Sequence, residues 1–431
     1  MVNGEVCSWG RLSHNSHQIE YFNKKGDVFR NADSIPGIPY GMGRSYGDIC
    51  LNSNGNIWFT KGLNKFISFD SVNGLLKCEA GITLKEIQDV LVPQGWMLHV
   101  SPGTQYVTVG GAIANDIHGK NHHRFGSFGN HLKRIVLKRT NGDLIDCSPE
   151  LNSDWFYATI GGMGLTGFIL EAEFNLKKID GPWLETETIP YNSLEEFFHL
   201  CDSSEENWEY TVSWIDCLSK SNRGIFLRAN HSNHAAAPPK YSHKKLPLAP
   251  PFSLINQLSL KPFNQAYFSL NKYARSKNFQ HYKGFFYPLD SILEWNKAYG
   301  PTGFYQYQFV IPRDNGLNSI KEILTEITKS GQGSFLAVLK TFGDIPSLGM
   351  MSFPEKGVSL ALDFPNLGSK TISLLDRLDS IVQAAKGKIY LAKDARLSRA
   401  FYESSYPNLI QFNKYRDEGI SSDMSRRLMG K

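Results

Sequence analysis

The sequence lacks cysteine pairs, long apolar runs and an apolar leader. Its six cysteines include no C-x-x-C pair, a pattern that argues against a zinc site or a disulfide scaffold and favours a reducing compartment. No stretch approaches the ~18 apolar residues of a membrane-spanning helix. The first residues also contain no apolar segment of the kind that a secretory signal carries. We therefore expect a cytoplasmic protein.

The common phosphate-binding and hydrolase motifs are missing as well. The sequence contains no G-x-x-x-x-G-K-[ST], no G-x-S-x-G and no H-E-x-x-H. Its first glycine cluster, residues 41–47, has the spacing G-x-G-x-x-x-G and leads to no predicted helix, so it is not a Rossmann fingerprint. Four histidines fit no familiar ligand spacing, so we expect no metal site: His118, His122, His123 and His131.

Length and composition indicate a globular protein of two domains. A chain of 431 residues is too long for one ordinary core. Hydrophobic residues make up 41% and charged residues 20%, which excludes a disordered chain. The net charge of +5 suits a phosphorylated ligand or an anionic membrane surface, but it falls short of a nucleic-acid footprint.

The segment Pro102–Asn130 holds six glycines and one carboxylate, Asp116. Glycine at this density lets the backbone approach a ligand and present N–H groups to it. Cationic or titratable side chains lie between the glycines: His118, Lys120, His122, His123 and Arg124. This composition suits a dinucleotide pyrophosphate, whereas the alternative is an irregular surface loop. Two further glycine clusters, 41–47 and 161–167, favour a large dinucleotide wrapped by several loops.

Local patterns in the first part of the chain predict regular elements around these loops. Thr83 and Glu86 form a T-x-x-E capping box, which predicts a helix that ends at Gly95. Asn141-Gly142 predicts a hairpin between two strands. Ser153 is expected to cap a short helix.

The second part of the chain has a different composition, with few glycine clusters and many aromatic residues. Residues 231–262 are rich in proline, lysine and histidine, and we interpret them as a mobile loop. The alternation in residues 303–312 predicts a strand with Gln306 and Gln308 on one face. A further strand is expected at 388–393, followed by a helix with Asp394 at its cap.

Several motifs resemble the vanillyl-alcohol-oxidase-type FAD proteins: MGRSYGD at 42–48, TVGGAIANDIHGKNHH at 108–123, GSFGNH at 126–131 and GGMGLTG at 161–167. Three others resemble the decaprenylphosphoryl-β-D-ribose 2′-oxidase family more closely: WNKAYGPTGFYQYQFVIP at 295–312, YLAKDAR at 390–396 and SDMSRRL at 422–428. The resemblance extends over almost the whole chain.

This resemblance implies an α+β fold. Residues 1–180 would form an FAD-binding domain of the two-subdomain type, and residues 388–431 would return to it. Residues 181–387 would form an antiparallel-sheet substrate domain.

The resemblance also implies which residues contact FAD: Gly41, Gly43, Arg44, Ser45, Tyr46, Gly47, Gly103, Thr108, Val109, Gly110, Gly111, Asn115, Asp116, Ile117, His118, Ile169 and Tyr390. In families with covalently linked flavin, a histidine commonly precedes the serine of the first cluster. Here that place holds Arg44, which cannot form the bond, so we expect non-covalent FAD.

For catalysis the resemblance points to Lys393, Tyr46, His118, Gln308 and Lys340. Lys393 and Tyr46 are candidates for holding or deprotonating the substrate hydroxyl, while Lys340 and His118 would neutralise phosphate or flavin charge. Alternative interpretations stay open, since a lysine that ends a strand is usually a solvated surface residue. Gln306 and Gln308 would equally suit a solvent-facing strand.

The implied activity is FAD-dependent oxidation of the 2′-hydroxyl of a polyprenylphosphoryl-β-D-ribose, the first half of epimerisation to the arabinose form. A reductase partner would complete that conversion, and peripheral contact with the inner membrane would accompany a lipid substrate. The alternative enzyme acts on a small sugar, polyol or aldonolactone. A flavin-binding subunit without activity is a third hypothesis, although retention of Lys393 and Tyr46 argues against it.

The chain departs from the mycobacterial members of this family on the substrate side. Ala361 replaces a cysteine, Ser359 replaces an asparagine, and a Tyr-His pair is Phe286-Tyr287 here. The tail is shortened around residues 416–419. We therefore expect this chain to bind flavin as the family does, whereas the exact sugar or lipid that its substrate pocket accepts follows less closely from the resemblance.

Overall fold

A small mixed sheet begins the fold. The computed structural model describes residues 2–27, 29, 34–239, 241–246, 250–272 and 277–430. The first sheet has the order β1-β2-β4-β3, with β4 parallel to both β2 and β3. Its strands are β1 (Val2–Val6), β2 (Asn15–Tyr21), β3 (Gly37–Tyr40) and β4 (Asn56–Phe59).

The second sheet is antiparallel and has the order β5-β6-β10-β8-β9, with β7 paired to the end of β10. Its strands are β5 (Phe66–Asp70), β6 (Leu75–Glu79), β7 (Trp96–Leu98), β8 (Leu132–Lys138), β9 (Leu144–Cys147) and β10 (Phe168–Lys178). The helices of this region are α1 (Leu84–Leu91), α2 (Val109–Ala114), α3 (His122–Phe125) and α4 (Ser153–Thr159).

A large antiparallel sheet of eight strands follows, in the order β15-β11-β13-β12-β18-β19-β17-β20. Its strands are β11 (Trp183–Tyr191), β12 (Tyr210–Ile215), β13 (Gly224–Ser232), β15 (Lys277–His281), β17 (Phe304–Ile311), β18 (Val338–Phe342), β19 (Gly357–Pro365) and β20 (Lys388–Ile389). Two short strands, β14 (Lys244–Lys245) and β16 (Ile292–Leu293), pair with each other in a separate parallel sheet. The helices are α5 (Leu194–Ser204), α6 (Gln257–Lys272), α7 (Tyr282–Phe286), α8 (Arg313–Ser330), α9 (Ser369–Ala384), α10 (Arg399–Ser405), α11 (Leu409–Phe412) and α12 (Asp423–Met429).

The hydrophobic core joins the first sheet to one face of the large sheet. Trp58, Phe309 and Leu378 are fully buried members of this cluster, and each comes from a different layer. A second cluster packs α1 and α2 against the second sheet. Burial of one face leaves the other face of β17, β18 and β19 free to form a site. None of the described helices is long and apolar enough to cross a bilayer.

Several local predictions are confirmed. Thr83 Oγ1 accepts the N–H of Glu86, and the Glu86 carboxylate accepts the N–H of Thr83, as a capping box requires. The segment ends at Gly95, whose φ of 82° is left-handed. Strands β8 and β9 form the predicted hairpin, and β17 matches the predicted strand.

The expected cap of α4 is wrong by one residue. Asn152 precedes the helix with a φ of 50°, and its carbonyl accepts the N–H of Phe156. Asparagine adopts the left-handed conformation more readily than most residues. Ser153 is therefore the first residue of the helix instead of its cap.

The predicted boundaries of the mobile loop are wrong at both ends. His231 and Ser232 belong to β13 and pair with β11. Pro262 lies inside α6, although an interior proline costs a helix about 3 kcal/mol. Burial of Leu260 and Phe268 on the inner side of α6 offsets that cost. Part of the predicted loop, residues 240 and 247–249, lies outside the described residues.

The chain after α9 also differs from expectation. Strand β20 ends at Ile389, and a turn follows in which Lys393 N–H donates to the carbonyl of Tyr390. Asp394 caps this turn by accepting the N–H groups of Arg396 and Leu397. The next helix, α10, begins only at Arg399. A carboxylate that binds two successive N–H groups stabilises a turn as readily as a helix start.

The last residues return to the first sheet and fix this turn. Arg427 donates to both oxygens of Asp48, at 2.8 Å each, and to Asp394 at 2.8 Å. Ser421 N–H donates to the carbonyl of Gly37, next to β4. Through Arg427, the turn that carries Lys393 is linked to the C-terminal helix and to the segment around Asp48.

We expect Arg427→Ala to lower the free energy of unfolding by about 3 kcal/mol, because it leaves Asp48 and Asp394 largely buried without their cation. Urea denaturation measures this loss. The control is Arg399→Ala, which removes an exposed pair with Glu403 and should cost less than about 1 kcal/mol. Equal losses in the two variants would contradict the role of Arg427.

Candidate active site

One continuous cavity of about 450 Å³ lies between the glycine segments and the free face of the large sheet. The structure brings all five predicted catalytic residues to its wall: Lys393, Tyr46, His118, Gln308 and Lys340. Most of the predicted cofactor contacts line it too: Gly41, Gly43, Arg44, Ser45, Tyr46, Gly103, Thr108, Gly110, Gly111, Asn115, Ile117, His118, Ile169 and Tyr390. Residues far apart in the sequence therefore share one site.

Three predicted cofactor contacts lie behind the cavity wall. Val109 is fully buried in the second hydrophobic cluster. Gly47 packs against the backbone of Asp394 so closely that a Cβ would stand 1.5 Å from the carbonyl oxygen. Asp116 accepts hydrogen bonds from Ser127 Oγ, Gly129 N–H and Ser352 Oγ, and it is fully buried. These residues shape the loops that form the wall.

The wall fits an extended polar ligand such as a dinucleotide. Gly43 has a φ of 59°, and a Cβ there would overlap the hydroxyl of Tyr40. A Cβ at Gly103 would meet no atom within 4 Å, so the backbone is open to a ligand. Arg44 Nε, Asn115 Oδ1 and His118 Nδ1 are buried polar atoms without a hydrogen-bond partner in the described part of the chain. Unpaired buried polar atoms are costly, so a bound ligand with complementary groups would satisfy them.

Lys393 lies over Tyr46, with Nζ 3.8 Å from the ring centroid. Burial lowers the pKa of Lys393, although the nearby Asp363 carboxylate opposes that change. Burial likewise raises the pKa of Asp363, which is fully buried. Gln306 lies opposite Asp363 in the β17–β19 ladder and donates to it at 2.6 Å. A lysine of lowered pKa can take a proton at neutral pH.

Asp363 was not among the residues inferred from the sequence. A carboxylate in the apolar stretch Val358–Phe364 was the available signal, because buried carboxylates are rare without a partner. Its partner Gln306 comes from another strand, and only the register of the sheet reveals it.

His118 and Gln308 form a buried pair, with 2.9 Å between His118 Nε2 and the Gln308 amide nitrogen. The solvent-facing interpretation of Gln308 is wrong, since only 4% of it is exposed. Burial, and then the charge of Lys340, holds the pKa of His118 well below its usual value. The imidazole is therefore neutral, and when Nε2 accepts from Gln308 the proton resides on Nδ1.

Two lysines form a cationic end of the cavity. Lys340 Nζ donates to the carbonyl of Gly119 at 3.2 Å, and Lys120 donates to the carbonyl of Phe285. Burial lowers the pKa of each to about 7. Neither forms an ion pair with a carboxylate in the described ranges. An anionic ligand group such as a phosphate would supply the missing negative charge.

Three of the substituted positions noted in the sequence lie at or next to the cavity, whereas the shortened tail at residues 416–419 contacts Arg139 and Thr140 away from it. Ala361 and Phe286 line it, and Ser359 accepts a hydrogen bond from Gln308 at 3.3 Å. The hydroxyl of Tyr287 instead pairs with Ser101 and Gln88 behind the wall. Two of these positions therefore contribute side chains to the cavity wall, and Ser359 contacts that wall through Gln308.

Comparison with known proteins identifies the class to which this fold and site belong. Residues 28–148 match the family described as FAD binding domain, which agrees with the glycine-lined cavity. The chain is an FAD-dependent oxidoreductase.

Full-length relatives then define the family. The chain is 36% identical to the decaprenylphosphoryl-β-D-ribose oxidase of Mycolicibacterium smegmatis, over 91% of this chain and 88% of that protein. It is 30% identical to an uncharacterised protein of Streptomyces coelicolor, over 80% of this chain and all of that protein. A putative D-arabinono-1,4-lactone oxidase of Neurospora crassa is similar over only part of its length, with 32% identity over 31% of this chain and 24% of that protein. The chain belongs to the decaprenylphosphoryl-β-D-ribose oxidase family.

We expect Asp116→Ala to destabilise the fold by about 3 kcal/mol, because it leaves three buried donors unpaired. The FAD content per folded molecule should stay close to that of the wild type, since Asp116 does not line the cavity. Urea denaturation and the visible absorbance of the purified protein measure the two effects. Asp143→Ala, at the exposed β8–β9 turn, is the control and should change neither. Selective loss of FAD with unchanged stability would contradict a structural role.

Proposed function

We propose that the protein oxidises the 2′-hydroxyl of a polyprenylphosphoryl-β-D-ribose to the 2′-keto sugar, the first half of epimerisation to the arabinose form. One observation carries this proposal: a single cavity combines a glycine-lined cofactor wall, the Lys393–Tyr46 pair and two lysines, Lys120 and Lys340, that have no carboxylate partner among the described residues. The named activity of the full-length mycobacterial relative supports the same substrate class.

The first, second and large sheets support the two-subdomain arrangement of vanillyl-alcohol-oxidase-type proteins. In this proposal residues 1–180, with the first and second sheets, hold FAD. Residues 181–387 provide the antiparallel sheet over the substrate, and 388–431 return to the cofactor domain. The contacts of Arg427 with Asp48 and Asp394 support that return.

FAD would be held by the backbone of the glycine segments and by the side chains of Arg44, Asn115 and Tyr390. When bound, it supplies the two-electron acceptor that takes the hydride from the carbinol carbon. Arg44 lies with its guanidinium carbon 4.0 Å from the ring centroid of Trp9, in the place where a tethering histidine would stand. We therefore propose non-covalent binding.

The remaining residues would bind the sugar and move its proton. Lys393 Nζ would accept the proton of the 2′-hydroxyl, assisted by the hydroxyl of Tyr46. Asp363 would stabilise the resulting ammonium. His118 and Gln308 would donate to sugar or flavin oxygens, and Lys120 with Lys340 would hold the phosphate. The 2′-ketone product requires reduction from its opposite face, which calls for a partner reductase.

Anaerobic mixing tests the proposed reaction. FAD-loaded protein is mixed with a short-chain polyprenylphosphoryl ribose, and loss of the visible flavin absorbance is followed. Bleaching by this substrate, with none by free ribitol or an aldonolactone, is the expected result. Bleaching only by the free polyol or lactone would replace the proposal with the small-substrate alternative. No bleaching by any of them would favour an inactive flavin-binding subunit.

We expect acid to release the flavin. Arg44 occupies the usual tethering position and its guanidinium cannot form the histidyl bond, so precipitated protein should be colourless. Flavin fluorescence of the supernatant and pellet measures this, with a covalently flavinylated protein treated in parallel. Fluorescence that stays with the precipitated chain would show a covalent bond.

We expect Lys393→Ala to retain FAD while slowing single-turnover flavin reduction by about 10²-fold, the usual contribution of a positioned base. Stopped-flow absorbance measures the rate. Lys388→Ala is the matched control, because Lys388 pairs with Glu355 away from the cavity. An unchanged rate in Lys393→Ala would exclude Lys393 from the chemistry.

The pH dependence of the flavin reduction rate tests the proposed roles of Lys393 and Asp363. A neutral amine accepts the proton, so the wild-type rate should rise with pH through the pKa of Lys393. Removing the negative charge of Asp363 lowers that pKa further, because the carboxylate stabilises the ammonium form. Asp363→Asn should therefore move the rising limb to lower pH. A profile that stays in place would remove Asp363 from this role.

A further inference from the structure

The charge of the chain is distributed unevenly. Residues 217–289 contain eleven lysines and arginines and no aspartate or glutamate. The whole chain carries a net charge of only +5, so the rest of it is net acidic. Four exposed lysines of this segment form no ion pair within the part of the chain that is described: Lys220, Lys244, Lys261 and Lys272. A positive surface of this kind attracts anionic partners.

Helix α6 lies in this segment and has two apolar faces. Its inner face buries Leu260 and Phe268. Residues spaced by four form an exposed row along its outer face: Leu258, Pro262, Ala266 and Leu270. Leu258 is 88% exposed and Leu270 is 77% exposed. An apolar row at helical spacing beside lysines is the pattern of a helix that lies on a membrane surface.

The same region adjoins the cavity. Tyr267, on the inner side of α6, lines it. Phe252 and Leu254 are 66% and 44% exposed, and Leu254 N–H donates to the carbonyl of Ala298. That carbonyl belongs to the short 3₁₀ segment Trp295–Tyr299, whose Trp295 also lines the cavity. The exposed apolar side chains therefore surround elements that form the cavity wall.

We propose that the outer row of α6, with Phe252, Leu254 and the neighbouring lysines, docks on an anionic phospholipid bilayer. This inference rests on the proposed lipid-linked substrate, because docking there holds the cavity wall next to the polyprenyl chain. Burial of the apolar row in the bilayer and attraction of the lysines to anionic headgroups would both stabilise this docking. A second copy of the chain is disfavoured as the occupant, since two faces that carry the same lysines without ion pairs repel each other.

Vesicle flotation with the FAD-loaded protein tests the proposal without any turnover. Vesicles of phosphatidylcholine alone are compared with vesicles containing about 30 mol % phosphatidylglycerol at ~0.1 M salt. Wild-type protein should float with the anionic vesicles only. The double variant Leu258→Glu/Leu270→Glu should bind them at least tenfold more weakly, and Lys261→Glu/Lys272→Glu should also lose binding.

The matched control is Val72→Glu/Ile410→Glu, which replaces two side chains that are 85% and 81% exposed outside the acid-free segment. It should bind as the wild type does. No wild-type binding, equal binding to neutral vesicles, or unchanged binding of the α6 variant would each overturn the proposal. A wild-type dimer in sedimentation velocity that dissociates in the α6 variant would assign the row to self-association and also overturn it.

Flavin reduction by a short, water-soluble polyprenylphosphoryl ribose separates this inference from the proposed function. The α6 variant should reduce at the wild-type rate with that substrate, because the row lies outside the cavity. Failure of the wild type to react would contradict the proposed function while leaving the flotation result valid. A rate lost only in the α6 variant would show that the row serves the cavity instead of a membrane, and would overturn the docking proposal.

Discussion

The site depends on a close backbone approach between two segments that are far apart in the sequence, one around Gly47 and the other around Asp394. Gly47 lies so near the carbonyl of Asp394 that no other residue fits without displacing it. Tyr46 N–H donates to the carbonyl of Ala392, and Arg427 ties Asp394 to Asp48. These contacts place the ammonium of Lys393 over the Tyr46 ring. A side chain at position 47 would separate the two segments and with them the candidate base from its partner.

The large sheet provides the other half of the constraint. In the β17–β19 ladder Gln306 lies opposite Asp363 and Gln308 lies opposite Ala361. Side chains two residues apart on a strand share a face. The side chains of these two opposed pairs therefore all point to the same side of the sheet. Strand β18 adds Lys340 opposite Ser359. The opposite face of the same strands packs into the core, which makes the positions of these polar groups rigid.

Burial determines the chemistry of these groups. Lys120 and Lys340 have no carboxylate partner in the described ranges, and desolvation lowers the pKa of both. An unpaired cation in such surroundings costs folding free energy, which an anionic ligand would recover on binding. Two buried aspartates have different roles because their partners differ. Asp116 satisfies three donors and stabilises loops, whereas Asp363 faces a lysine and tunes its pKa.

The sequence by itself determined the family, the glycine segments and the capping box at Thr83, and most of the site residues that it predicted do line the cavity. These are local patterns, in which a residue type and its spacing carry the physical cause. Tertiary structure alone decided the roles of Asp363, Lys120 and Asp116, because each depends on partners that other segments supply. It also decided the end of β20 and the extent of α6. After β20, the Asp394 carboxylate stabilises a turn by accepting two backbone N–H groups. In α6, burial of Leu260 and Phe268 stabilises the helix by more than the conformational preference of Pro262 costs.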